Sequence, residues 1–436
     1  MTISASFFEY MQNINDFFWS HLGFSLIIMG VYLTIKTKGF QFKVLLNPKK
    51  NLLELHHDSK HTGEGTHPFM LYFASIGGMI GLGNLVGVVT VTTIGGPGGI
   101  FWLVVASFAG MLIKYSENCL GVTHRIKNSK KGYDGGPMYY LQVAFGNKYI
   151  ASFVCLLLCI YGVEVYQFNI LAEVLNDSFA IDKHWIVGIL VLAIIFSAIG
   201  GVHRYAEICA AMMPIFLVIY VIMCVWVIIN NGSEFLKIIP LIFKSAFTGH
   251  AAVGGFAGAS VILAAQYGTQ WAVYTGDIGI GYDSVIQSET KAKTPEKQAR
   301  IAIYGLFSST LISVLTSLIL LVTGFWKLGN KLHPSQYVGK ILENYFPYIE
   351  YFMLVLIILA SSTTIIGYLV VGIKCAKYLS PKLGEKIYII YAAVAFSVFS
   401  FFDQSQVILI MSVSGGLLMM CNLLGIFKLR KELKFK

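Results

Sequence analysis

The sequence predicts an all-α membrane protein of about eleven transmembrane helices, with one leading helix ahead of two five-helix halves in inverted repeat. Three observations predict it: the composition, the placement of lysine and arginine, and two glycine-interrupted apolar segments five helices apart. Of 436 residues 56% are hydrophobic and only 12% charged, with a mean hydropathy of +0.70. That excludes an ordinary globular enzyme. A hydrocarbon core about 30 Å thick takes roughly 20 apolar residues per helix, and such stretches recur from end to end. The net charge of +10 sits between apolar spans and forms no basic stripe, so it reads as topology and not as a nucleic-acid surface. Seven cysteines, an odd number with no C-x-x-C pair, indicate neither a disulfide framework nor a zinc ribbon.

Windows of about 19 residues place helices near 17–36, 69–94, 99–124, 150–176, 184–200, 205–230, 251–285, 301–325, 348–378, 386–402 and 405–428. The first has no basic region ahead of it and no cleavage site after it, and is expected to be retained. Each connection is then assigned a side by its charge. Segments after the first, third, fifth, seventh, ninth and eleventh helices carry 25 of the 32 lysines and arginines, the alternate segments carry six, and Lys114 lies within a helix. Cytoplasmic loops hold such an excess, so the N-terminus is expected outside and the C-terminus in the cytoplasm of a cell inner membrane. The longest polar connections, about 37–68 and 125–149, are too short for a soluble domain. The chain reads as one transporter domain over 1–436: leading helix and loop 1–68, first repeat 69–230, second repeat 251–428.

The second helix holds Gly77, Gly78, Gly81, Gly83, Asn84 and Gly87 near mid-span, and the seventh holds Gly254, Gly255, Gly258 and Gly268. Small-xxx-small spacing also serves close helix packing. Glycine-interrupted segments at corresponding places in two halves point instead to a transporter whose site lies at the midplane, where helix ends hold a carboxylate and freed carbonyls hold a cation. Glu164, Gln167 and Asn169 in the fourth helix and Ser361, Ser362, Thr363 and Thr364 in the ninth fit such a site; interhelical hydrogen bonding and back-bonding to the preceding turn are the plainer accounts. Lys114 and Glu117 are expected to form an internal pair at i, i+3. Asp277 and Asp283, beside Gly276, Gly279 and Gly281, read equally as ion ligands or as a solvated loop near the inner surface. His56, His57, His61 and His67 share a polar loop without fixed zinc spacing. No phosphate-binding or dinucleotide motif occurs, so an ATP-driven or redox pump and any organic cofactor are unsupported.

The run Gly81-Leu82-Gly83-Asn84-Leu85-Val86-Gly87-Val88, then Gly95-Gly96-Pro97-Gly98-Gly99-Ile100-Phe101-Trp102, Gly110-Met111, Lys114-Tyr115-Ser116-Glu117 and Gly135-Gly136-Pro137-Met138-Tyr139-Tyr140 resembles the alanine or glycine:cation symporters of bacteria and archaea. Gly39-Phe40-Gln41-Phe42, Gln167-Phe168-Asn169, Gly254 to Ala259 and Thr363 to Tyr368 extend the resemblance over nearly the whole chain. It implies the inverted-repeat fold of neurotransmitter:sodium symporters. It also implies a sodium ion held by carbonyls of Gly77, Ile80 and Ala360 and by the hydroxyls of Thr363 and Thr364. The substrate would be met around Gly81, Gly83, Asn84, Gln167, Thr364 and Tyr368, with Gly268 from the seventh helix. The chain departs from the family at Tyr274 to Tyr282, where Phe-Ser-Asn-Glu-Ala-Gly-x-Gly-Ser is usual. It departs again at Gln266 for arginine, Tyr368 for tryptophan, and Glu164 for a neutral amide.

The function expected is sodium-coupled symport of a small neutral amino acid by alternating access, without enzymatic activity and without an obligate protein partner. Two alternatives stand beside it: a membrane sensor that binds an amino acid without moving it, and a proton-coupled carrier of another amino acid tuned by Glu164. A channel would need a continuous polar stripe and an intramembrane enzyme a clustered catalytic group, and neither pattern is present.

Overall fold

A computed structural model describes residues 2–59, 64–128, 132–248 and 261–435. The leading helix α1 (Thr2–Lys36) ends at left-handed Gly39 and is followed by the short helices α2 (Phe40–Leu45) and α3 (Pro48–Ser59). The second span divides into α4 (Pro68–Met79), a π turn over Gly83–Gly87 and α5 (Val88–Thr93), with a 45° bend between its parts. Helix α6 (Pro97–Thr123) follows, then a two-stranded antiparallel hairpin, β1 (Ile126–Lys127) with β2 (Tyr133–Asp134), and α7 (Pro137–Phe145). The next span breaks between α8 (Lys148–Tyr161) and α9 (Val165–Phe179), ahead of α10 (Lys183–Ala198), α11 (Gly201–Asn230) and α12 (Gly232–Thr248).

The second half begins with α13 (Val261–Gly276), broken from α14 (Tyr282–Gln287), and continues with α15 (Pro295–Val322), α16 (Pro334–Glu343), α17 (Ile349–Leu379), α18 (Gly384–Phe399) and α19 (Gln404–Lys428). Among the described residues, seven helical stretches are long and apolar enough to cross a membrane, and the bent second span makes an eighth. The other three expected spans fall on α10, α13 and α18, of 16 residues each, about 24 Å at 1.5 Å per residue. Outward faces carry large apolar side chains, such as Ile189, Leu192 and Phe196 on α10 and Ile215, Ile222 and Ile229 on α11. Lipid, not water, suits such surfaces.

The helices sort into two groups. Around α6 pack α13, α14 and α15, with α4 and α5 against α15; around α17 pack α8, α9, α10 and α18, with α19 on α8 and α9. The groups meet where α4 and α14 touch α17. Close approach depends on glycine at two of these contacts: a Cβ on Gly87 would run into the Trp271 ring, and one on Gly268 into the Gly99 carbonyl. The leading helix is tied in by a polar knot. Trp19 Nε1 donates to Ser412 Oγ at 2.8 Å and Gln270 Nε2 donates to the same hydroxyl at 2.7 Å, which donates onward to Asn15 Oδ1.

Of the glycine cluster expected to interrupt the seventh span, Gly254, Gly255 and Gly258 lie outside the described residues and Gly268 lies within α13; among the described residues this span breaks at 277–281. There Asp277, Gly279 and Gly281 have φ of 50°, 74° and 100°, a region glycine enters without the Cβ penalty that Asp277 bears. Nor is this stretch a solvated loop, since Asp277 and Asp283 are both fully buried.

Candidate functional site

Three broken helices converge at one level of the molecule. In the first break, Ile80 leaves the helical region (φ −94°, ψ 91°), so the amides that follow have no partner in their own helix. Side chains replace it: Gly81 N–H donates to Asn84 Oδ1 at 3.2 Å and Leu82 N–H to Gln167 Oε1 at 3.1 Å. Asn84 is held from behind, its Nδ2 donating to Ser309 O, Ser309 Oγ and Ser313 Oγ at 2.9–3.1 Å. A Cβ on Gly81 would collide with Gln167 and Thr364, and one on Gly83 would press on Tyr274.

On the carbonyl side of this break, Thr364 Oγ1 lies 3.0 Å from Gly77 O and 3.1 Å from Ala360 O, and Thr363 Oγ1 lies 3.1 Å from the same Ala360 O. Four oxygens from α4 and α17 are thus gathered in one place, all on buried residues. They are neutral oxygens, the donor set a hard monovalent cation takes. Each hydroxyl donates its proton to a neighbouring carbonyl, and a bound cation would take up the hydroxyl lone pairs and turn that proton away. Ile80 stands at the break itself, three residues beyond Gly77.

The second break carries charge. Lys114 Nζ lies 3.0 Å from Asp277 Oδ2, 3.1 Å from the Asp277 carbonyl and 3.5 Å from Asp283 Oδ2. The expected pairing of Lys114 with Glu117 is therefore corrected: Lys114 reaches across to the broken helix, and Glu117 Oε2 accepts instead from Gly279 N–H at 3.2 Å. Tyr368 OH donates to Asp277 Oδ1 at 3.1 Å and its ring stacks on Tyr282 at 4.2 Å. Tyr368 thus stands at the second break, while Thr364, one turn earlier, stands at the first.

Glu164 caps the third break, between α8 and α9, with φ 51°. It is buried and accepts from Tyr274 OH at 3.0 Å. Tyr161, Tyr166, Trp271 and Tyr274 form an aromatic layer around it. Gly268 is not brought to this region: it packs against Gly99, Trp102 and Leu103 of α6. Sequence reasoning missed Tyr274, Trp271 and the Lys114–Asp277 link. The available signal was an acid flanked by Gly276, Gly279 and Gly281 inside an apolar stretch.

Above Trp271 opens a vestibule of ≈ 1160 Å³, bordered by Gln12, Asp16, Gln270, His333 and Asp403. Below it a narrow apolar gap lies between Tyr161, Tyr274, Ile280 and Met411. At the other end a cavity of ≈ 1190 Å³ is crossed by Lys374, whose Nζ reaches Glu289 Oε1 at 2.6 Å, Asp134 Oδ1 at 3.0 Å and the Tyr133 carbonyl at 2.8 Å. Arg125 beside it donates to the carbonyls of Ser288, Thr290 and Ala292.

The architecture is that of known transporters. The chain is similar to MhsT, solved in complex with L-phenylalanine, at a TM-score of 0.55 and 16% identity, covering 82% of this chain and 88% of that one. In sequence it is 31% identical to the uncharacterized transporter YflA of Bacillus subtilis, over 88% of this chain and 83% of that protein. It is 25% identical to the sodium/alanine symporter AgcS of Methanococcus maripaludis, over 89% and 88% respectively. The sodium:alanine symporter family profile matches residues 4–435. With broken helices in both halves of an inverted-repeat, multi-pass α-helical fold, and with that match from end to end, this chain belongs to the sodium:alanine symporter family.

Proposed function

We propose that the protein carries a small neutral amino acid, alanine or glycine in kind, into the cell together with sodium by alternating access. The observation that carries this reading is the gathering of the Gly77 and Ala360 carbonyls with the Thr363 and Thr364 hydroxyls where the two helix groups meet. A cation there, completed by the Ile80 carbonyl, would fix the distance between α4 and α17 and so favour one arrangement of the groups over another. The substrate carboxylate would take the amides of Gly81 and Leu82, displacing the Asn84 and Gln167 oxygens that now cap them, with the Gly83 amide close by. Tyr274, Tyr368 and Trp271 would bound the side-chain pocket, and their bulk limits it to a small substituent.

The same reading places the protein in the cell inner membrane, N-terminus outside, so that the vestibule above Trp271 faces outward and Lys374 closes the cytoplasmic end. The repeats are 69–230 and 251–428, with 1–68 added in front. Sodium, the amino acid and lipid are its only required partners, and no nucleic acid or organic cofactor enters. An inside-negative potential would draw the cation inward, at about 2.3 kcal/mol per charge per 100 mV.

The test is uptake of labelled alanine into proteoliposomes with and without an inward sodium gradient, beside a Thr363→Ala/Thr364→Ala variant. Sodium-dependent uptake that the variant loses is the expected result. Folded protein that moves neither alanine nor glycine under a sodium gradient would overturn the substrate and coupling assignments.

A further inference from the structure

Three carboxyl groups and one ammonium share the second break, and all four side chains are fully buried. Two of the carboxylates are well supplied. Asp277 accepts from the Lys114 ammonium, the Tyr368 hydroxyl and the Asp283 amide. Asp283 accepts from Ser75 Oγ, Asn118 Nδ2 and Gln287 Nε2, and faces Lys114 as well. Glu117 is not supplied in this way. Its Oε2 takes the single Gly279 amide, and its Oε1 is buried without a hydrogen-bond partner.

The ammonium offsets one negative charge, and the hydrogen bonds around Asp277 and Asp283 accommodate both of them as carboxylates. A third anion on Glu117, with one donor and two like charges beside it, has nothing to compensate it. The groups that face Glu117 are Lys114 on its own helix, Asp277 and Asp283 from the broken helix, and the Tyr140 phenol from α7; that phenol is engaged with Asn422 Oδ1 of α19 at 2.7 Å. None of these relieves Oε1.

We propose that Glu117 is a proton-binding site: its carboxyl is protonated while the break at 277–281 is closed, and gives up that proton to water when the break opens. The link to motion is the Gly279 amide, which sits at φ 74° in the break and is the one group holding the Glu117 carboxyl in place. Opening the break withdraws that donor and admits solvent, so occupancy by the proton and closure of the second broken helix go together. The proton is a ligand separate from sodium and the amino acid, and the inference does not depend on which solute is carried.

The test is infrared spectroscopy of the full chain in lipid, with its glutamates isotopically labelled so that glutamic and aspartic acid bands separate. A protonated glutamic-acid carbonyl band is expected at neutral pH in the wild type, kept in Glu164→Gln, weakened in Glu117→Gln and lost when both substitutions are combined. On raising the pH the band should bleach reversibly while circular dichroism stays unchanged, and in heavy water it should shift. Should Glu117→Gln fail to fold, the wild type and Glu164→Gln still decide. Absence of the band, its loss in Glu164→Gln alone, or a band that neither bleaches nor exchanges before unfolding would each overturn the proposal, the last by showing a sealed structural proton. Neither sodium nor substrate is used, so a negative uptake assay and a negative spectrum are separate results.

Discussion

At Thr364 one hydroxyl oxygen touches carbonyls from two helices, Gly77 of α4 and Ala360 of α17. If this oxygen is a cation ligand, Thr364→Ala should raise the sodium concentration for half-maximal uptake about ten-fold or more, equivalent to ~1.4 kcal/mol, whereas Thr364→Ser should stay near the wild type; sodium titration of uptake checks both. Gly81 offers a steric test. A methyl group there meets Gln167 and Thr364 together, so Gly81→Ala should abolish uptake while thermal unfolding in detergent moves little, because the added atom invades a site and not the packed core. An unfolded Gly81→Ala protein would mean that the position is structural.

The broken α13–α14 element depends on its buried charges. Removing one partner of a buried pair costs ~3–5 kcal/mol, so Asp277→Ala should lower the midpoint of thermal unfolding sharply. The double variant Lys114→Ala/Asp277→Ala should be less destabilised than the two single losses added together, a coupling that a double-mutant cycle measures. This element also shows what could be read from the sequence. Hydropathy placed most spans to within a few residues, because a 20-residue apolar run has few alternatives to a helix. The first break was legible because Gly77 to Gly87 concentrates five glycines at mid-span, more than a packing seam needs. The second was not, since hydropathy weighs Asp277 and Asp283 as exposed charges and has no means of knowing that Lys114, 163 residues before Asp277, lies against both of them. Gly268 was misplaced for a related reason: a glycine that admits a neighbouring backbone looks in sequence like one that frees its own.

Across the whole molecule, a cavity lies at each end, and the one away from the start of α1 is crossed by the ion pairs of Lys374 with Asp134 and Glu289. Lys374→Gln removes the cation that joins β2 to the segment after α14, and should shift the population toward opening at that end. All seven native cysteines are buried, so a single cysteine introduced at Ile373, on the wall of that cavity, provides a clean reporter: its labelling rate by a polar maleimide should rise several-fold in the Lys374→Gln background. An unchanged rate would mean that Lys374 is not what holds this end shut. The knot that joins Trp19 to Ser412 extends the argument to biosynthesis. Its two halves lie 393 positions apart, which at ~5–20 residues per second separates their synthesis by roughly 20 to 80 seconds. Until α19 is made, the leading helix must reside in the bilayer with its indole and Asn15 waiting for a partner, so a chain truncated before Ser412 should expose that helix to membrane quality control and be degraded faster than one truncated just after α19.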